Sequence, residues 1–177
     1  MMITIYRWRD ADKHMDKTDY DVLISIGWKG ENHCTKRASN NFIGDVRDVT
    51  PLSCRGDHQA LLVDAPNMVV DLIRFGRTFN PMHRKDGTAM IFEESTNIIS
   101  HCQAGVSRST ACALIFLVAA GWFADDAIKY VYDSRGSKCQ PNWYFLAIAD
   151  RLMNTNILGT CQAQGRKLKS TRRDLKV

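Results

Sequence analysis

Residues 111–124 of this 177-residue chain form an uninterrupted uncharged run, Ala-Cys-Ala-Leu-Ile-Phe-Leu-Val-Ala-Ala-Gly-Trp-Phe-Ala. At 14 residues the run falls short of the ~20 needed to cross a bilayer. It also lacks the polar stripe of a surface helix. A helix with no wettable side must be covered all round, and the rest of the chain has to supply the cover. At 177 residues, with 45% hydrophobic and 24% charged residues, the chain can do this as one domain with a full core. A largely disordered chain is excluded.

The cover is legible as strands alternating with helices. Ile3–Tyr6 and Asp21–Ile26 read as short strands, the second stopped by Gly27, with a short polar helix or loop over 9–20. Residues 28–57 are rich in Gly, Asn, Asp and Ser and say little. Ala60–Val63 is a compact apolar run stopped by Asp64-Ala65-Pro66, which predicts a strand followed by a loop. Val69, Val70, Leu72, Ile73, Phe75 and Phe79 recur at helical spacing over 67–79, and Asn80-Pro81 ends that helix. A polar loop over 81–95 leads to a strand at Asn97–Ser100. The buried helix follows over 109–120. A second opens at Asp125 and closes at Gly136, and a third starts at Pro141 and runs to about Asn156. The expected fold class is α/β, a central mostly parallel sheet flanked by helices with a helical C-terminal third.

Charge and cysteine usage narrow the function. The chain carries 24 Lys and Arg against 19 Asp and Glu, a net +5. Residues 165–177 hold six basic residues and one acid, which accounts for the whole excess; the first 164 residues balance at 18 of each. A neutral domain with a basic tail argues against a nucleic-acid-binding protein. The expected layout is one domain over 1–160 and a flexible basic tail over 161–177. The N-terminus has no signal-peptide pattern, so a cytoplasmic location is expected. The six cysteines (34, 54, 102, 112, 139 and 161) are then expected to be mostly free thiols. No C-x-x-C pair or tight Cys/His cluster suggests a metal site; His33-Cys34 and Cys54/His58 read as chance neighbours.

Residues 101–109 carry the chemistry: His-Cys-Gln-Ala-Gly-Val-Ser-Arg-Ser. A strand, a short loop with one glycine and the start of the buried helix make an anion cradle. Loop amides can converge on one centre, and the helix N-terminus adds unpaired N–H groups and the positive end of its dipole. Gly105 permits backbone angles that other residues resist. Arg108 offers a planar fork that matches two phosphate oxygens. Cys102 lies at the base of the cradle, in line for attack on a bound phosphorus.

This stretch is the H-C-x5-R-[ST] signature, and the chain from about residue 20 to 156 resembles the dual-specificity branch of the cysteine-based protein tyrosine phosphatases. The resemblance implies a two-step reaction without metal or organic cofactor. Cys102 is the nucleophile that becomes phosphocysteine, and Arg108 binds the equatorial oxygens. Ser109 eases departure of the sulfur, and His101 braces the loop. Gln103, Ala104, Gly105, Val106 and Ser107 bind substrate mainly through their amides. The branch has a strand ending in an Asp, then a helix, before the signature strand. Asp64, 38 residues before Cys102, fits as general acid, and Asp71, 31 before it, is the alternative. Asp71 falls inside an apolar-periodic helix, which favours Asp64; Asp48 and Asp57 rank behind both.

The loop side chains limit the substrate. Members that favour inositol phospholipids commonly carry Lys where this chain has Gln103, Ala104, Val106 and Ser107. Members acting on RNA 5′-phosphates end the loop in Arg-Thr-Gly, which Arg108-Ser109-Thr110 is not. The expected substrate is a phosphoprotein, phosphotyrosine first and then phosphoserine or phosphothreonine. The rival is a pseudophosphatase that holds phosphorylated residues without turnover.

Overall fold

A computed structural model describes residues 2–28, 37–50, 58–80 and 96–168. Four strands, β1 (Met2–Arg7), β2 (Val22–Gly27), β3 (Asn40–Asp45) and β4 (Asn97–Cys102), form one sheet in the order β1-β4-β2-β3. Every pairing is parallel. The chain leaves β1 through α1 (Trp8–Met15), skips a place to β2, and lays β3 beside it. It then returns through α2 (Ala65–Arg77) to insert β4 between β1 and β2. Cys102, the last residue of β4, therefore emerges at the carboxyl end of a central strand, where open parallel sheets hold their ligands.

The last five residues of the uncharged run, 120–124, lie beyond its helix, and Phe123 among them is 80% exposed. The other nine lie in α3 (Arg108–Ala119), and every residue of that helix except Val118 is buried. Its cover comes from the sheet on one side and from α2, α4 (Ala124–Arg135) and α5 (Trp143–Met153) around it. The α2 crossing is close: a Cβ on Gly76 would lie 2.7 Å from the Ala119 Cβ and 2.9 Å from the Phe116 carbonyl oxygen. Beside that crossing, Phe75, Phe79 and Phe116 stack edge-on and tilted, with Phe42 of β3 against Phe75. The other sheet face is closed by a smaller cluster of Ala11, Tyr20, Leu23 and Ile99 under α1. β2, covered on both faces, is buried along its whole length.

Three local expectations are corrected. Ala60–Val63 is not a strand: it is a π-helical turn over Ala60–Asp64 that runs straight into α2. Leu62 and Val63 are 64% and 41% exposed, so this apolar run never reaches the core. Pro66, read as a stop, lies inside the continuous helical stretch. In π register its nitrogen would face the Leu61 carbonyl, and proline has no N–H to give. The Tyr144 hydroxyl donates to that carbonyl instead, at 2.9 Å. Pro141 does not open α5; Asn142 caps that helix, its Oδ1 accepting from the Tyr144 and Phe145 amides. Packed chain also continues beyond residue 160. Helix α6 (Ile157–Ala163) buries Cys161, and the Tyr132 hydroxyl donates to the Lys167 carbonyl at 2.9 Å. Strand β3, within the stretch the sequence left unread, is the further addition.

The 81–95 loop, Asp57, Cys34, Cys54 and the end of the tail from 169 lie outside the described residues. No helix among the described residues is long and apolar enough to cross a membrane.

Candidate active site

The signature loop begins where β4 stops and ends where α3 starts. His101 and Cys102 still belong to the strand, in register with Tyr6 and Arg7 of β1. Ser107 precedes the first turn of α3, which opens on Arg108 and Ser109. The turn between them is pinned by a side chain of α3: the Thr110 hydroxyl is shared between the carbonyls of Val106 and Ser107, at 2.6 and 3.0 Å. Gly105 has φ +65, and the β1 backbone at Tyr6–Arg7 lies where its Cβ would be, 2.5–2.6 Å away. Only glycine meets both demands.

Cys102 is buried, and its Sγ lies 3.3 Å from the Ser109 Oγ in hydrogen-bond contact. Ser100, two residues earlier on the same strand face, donates its hydroxyl to the Ser109 carbonyl at 3.0 Å, fixing strand to helix. Arg108 is buried at 4% exposure, and its Nη1 donates to the Val46 carbonyl at 3.0 Å. Among the loop side chains, Gln103 and Ala104 are exposed and neither is charged. Cys102, Arg108, Ser109 and residues 103–107 thus lie together on one strand–loop–helix segment.

Asp64 is not tied to this group by any polar contact described. It sits in the π-turn before α2, where Gln59 Nε2 donates to its Oδ1 at 3.1 Å. Asp71 lies on the solvent side of α2, paired with Arg74 at 3.2 Å. Among the described residues, the carboxylate hydrogen-bonded to the loop is Asp48, just after β3. Its Oδ1 accepts from Ser107 Oγ at 2.9 Å and from Asn142 Nδ2 at 2.8 Å. The same Asn142 amide donates to the Val49 carbonyl at 2.8 Å. The 46–49 segment is therefore bound to Arg108, Ser107 and Asn142 at once. Spacing hid Asp48, because 54 residues separate it from Cys102. The signal available was a carboxylate shortly after a strand, and β3, with only Phe42 and Gly44 buried, was too weakly patterned to be seen.

Burial pushes the Cys112 thiol, on the second turn of α3, well above the ordinary range. The Arg108 guanidinium nearby opposes that rise. Among the described residues no three His, Cys, Asp or Glu side chains converge in a way that could hold a metal ion.

The sequence matches no protein-family model, and no curated protein matches it significantly. Solved structures similar to it in fold include human DUSP28, at 14% identity over 92% of this chain and 94% of that one, TM-score 0.48. Human tyrosine phosphatase-like serine/threonine/tyrosine-interacting protein is 16% identical over 86% of this chain and 91% of its own, TM-score 0.49. PTPMT1 in complex with PI(5)P is 11% identical over 93% and 94%, TM-score 0.48. What the loop can do chemically follows from its own residues.

Proposed function

We propose that the chain is a cysteine-dependent phosphatase that hydrolyses phosphomonoesters of phosphoproteins, phosphotyrosine first, through a phosphocysteine intermediate. The observation that carries this reading is the head of α3. There a buried cysteine ending a parallel strand meets the Ser109 hydroxyl at 3.3 Å, with the buried Arg108 beside it on the same turn.

Cys102 Sγ attacks phosphorus in line and the ester oxygen leaves. Arg108 and the amides of residues 103–108 hold the equatorial oxygens as charge spreads over them. Water then attacks the phosphocysteine, phosphate departs, and the sulfur leaves as thiolate, accepting a hydrogen bond from Ser109. Asp48 is assigned as the acid that protonates the leaving oxygen and the base that later takes the proton from water. Its support is its place: among the described residues the carboxylate bonded to the signature loop is Asp48, whereas Asp64 is engaged by Gln59. The uncharged exposed side chains Gln103 and Ala104 support a phosphopeptide over a polyanionic substrate.

An aryl phosphate assay tests the reading. Wild type turns over and vanadate inhibits; Cys102→Ser is inactive. Turnover that survives Cys102→Ser contradicts it. With the preferred phosphopeptide, Asp48→Asn lowers kcat by about 10²–10⁴-fold, the range for loss of a general acid, and Asp64→Asn stays near wild type. The reverse order would return the role to Asp64.

A further inference from the structure

The last residue of α4 and the α4–α5 connector together engage four consecutive carbonyls of the signature loop. Arg135, the last residue of α4, donates from Nε to Gly105 O at 2.5 Å and from Nη2 to Ala104 O at 3.5 Å. The Gln140 amide donates to Val106 O at 3.1 Å, and the Asn142 amide to Ser107 O at 3.3 Å. All described peptide bonds are trans, so each carbonyl drawn toward the connector turns the following N–H the opposite way. Those N–H groups belong to Gly105, Val106, Ser107 and Arg108.

We propose that Arg135 is a positioning residue: its guanidinium holds the 104–105 and 105–106 peptide units with their N–H groups turned into the loop, ready to receive an oxyanion. This rests on the phosphatase reading for its substrate, although the anion-binding part stands without turnover. Arg135 differs from the other two anchors in kind. Gln140 and Asn142 engage the loop through their backbone amides, which any residue but proline supplies. Arg135 acts through a side chain, and a charged donor makes the stronger bond. It also grips the stretch that needs help most. Gly105, at φ +65, is the loop residue with the widest backbone freedom, and its carbonyl is the one the Arg135 Nε holds. Arg135 is half-buried, and Gly136 at φ +63 ends α4 directly after it. The planar fork reaches two carbonyl oxygens of adjacent residues; a lysine ammonium at this place reaches one.

The test uses the full chain with Arg135→Met and Arg135→Lys. Tungstate affinity is read by calorimetry, aryl phosphate turnover by kinetics and folding by thermal melting. In Arg135→Met, tungstate binding weakens by about tenfold or more, the worth of a charge-assisted bond, and kcat falls with it. The melting temperature stays within about 4 °C of wild type. Arg135→Lys recovers part of both losses. Unchanged tungstate affinity in Arg135→Met overturns the proposal, as does a loss that tracks unfolding and disappears on cooling. A wild type that binds tungstate but never turns over an aryl phosphate contradicts the phosphatase reading alone. The Arg135→Met affinity then still decides the positioning role.

Discussion

Gly105 and Ser109 do opposite jobs in the same loop, one by lacking a side chain and the other by carrying one. A methyl on Gly105 would collide with the Tyr6–Arg7 backbone, which cannot swing aside because β1 is held in register with β4. Gly105→Ala is therefore expected to destabilise by about 1–3 kcal/mol, the cost of overpacking a fixed site. It also distorts the cradle, so thermal melting and aryl phosphate turnover should fall together. A variant with wild-type turnover would show that the loop tolerates a different backbone path. Ser109 touches the sulfur, so its hydroxyl matters most when the sulfur leaves. With a fast aryl phosphate, Ser109→Ala should show a burst of one aryl alcohol per enzyme and then slow steady turnover. Equal slowing of burst and steady phases would contradict that role.

At the scale of elements, the turn into α2 depends on a bond from elsewhere in the chain. Pro66 leaves the Leu61 carbonyl without its helical donor, and Tyr144 on α5 supplies one. Tyr144→Phe keeps the ring and removes the hydroxyl, and should cost about 1–2 kcal/mol in denaturant unfolding. A cost near zero would mean that water serves the carbonyl. The same arrangement explains what the sequence could and could not reveal. The signature loop was legible because its chemistry is local: Cys102, Gly105, Arg108 and Ser109 act within one strand–loop–helix turn. The α3 helix was legible because a run without charge has one physical solution. The α2 entry is not legible in the sequence, because Ala-Leu-Leu-Val before a proline fits a strand and the tyrosine that repairs the helix lies 83 residues away. Helix α6 is hidden for a similar reason. Its first amides, Ile157 and Leu158, are capped by Asp150, which belongs to the preceding helix. Asp48 ranks low in the sequence because its claim comes from Ser107 and Asn142, both distant along the chain.

The whole molecule is a parallel sheet whose heavier helical layer is closed late by the C-terminal chain. Tyr132 on α4 donates to Lys167, and the Arg166 guanidinium lies 4.8 Å from its ring centroid. Behind them, burial pushes the thiols of Cys139 and Cys161 up to about 12. The unfolded chain releases both protons near the ordinary thiol range of about 8.5, and the folded chain keeps them. Stability should therefore be insensitive to these groups below that range and fall as pH rises from about 9 toward 12. Denaturant midpoints across that window should show the decline, and Cys161→Ala should make it shallower. A decline equally steep in Cys161→Ala would place its cause in other groups.

The central claim, that Cys102 carries the phosphoryl group, is most directly tested by rapid acid quench during turnover of a labelled phosphopeptide, followed by digestion and mass spectrometry. The account predicts one phosphoryl group on the Cys102 thiol, more of it in Ser109→Ala than in wild type, and none in Cys102→Ser. A phosphoryl group on another residue, or turnover by the Cys102→Ser protein, would contradict it.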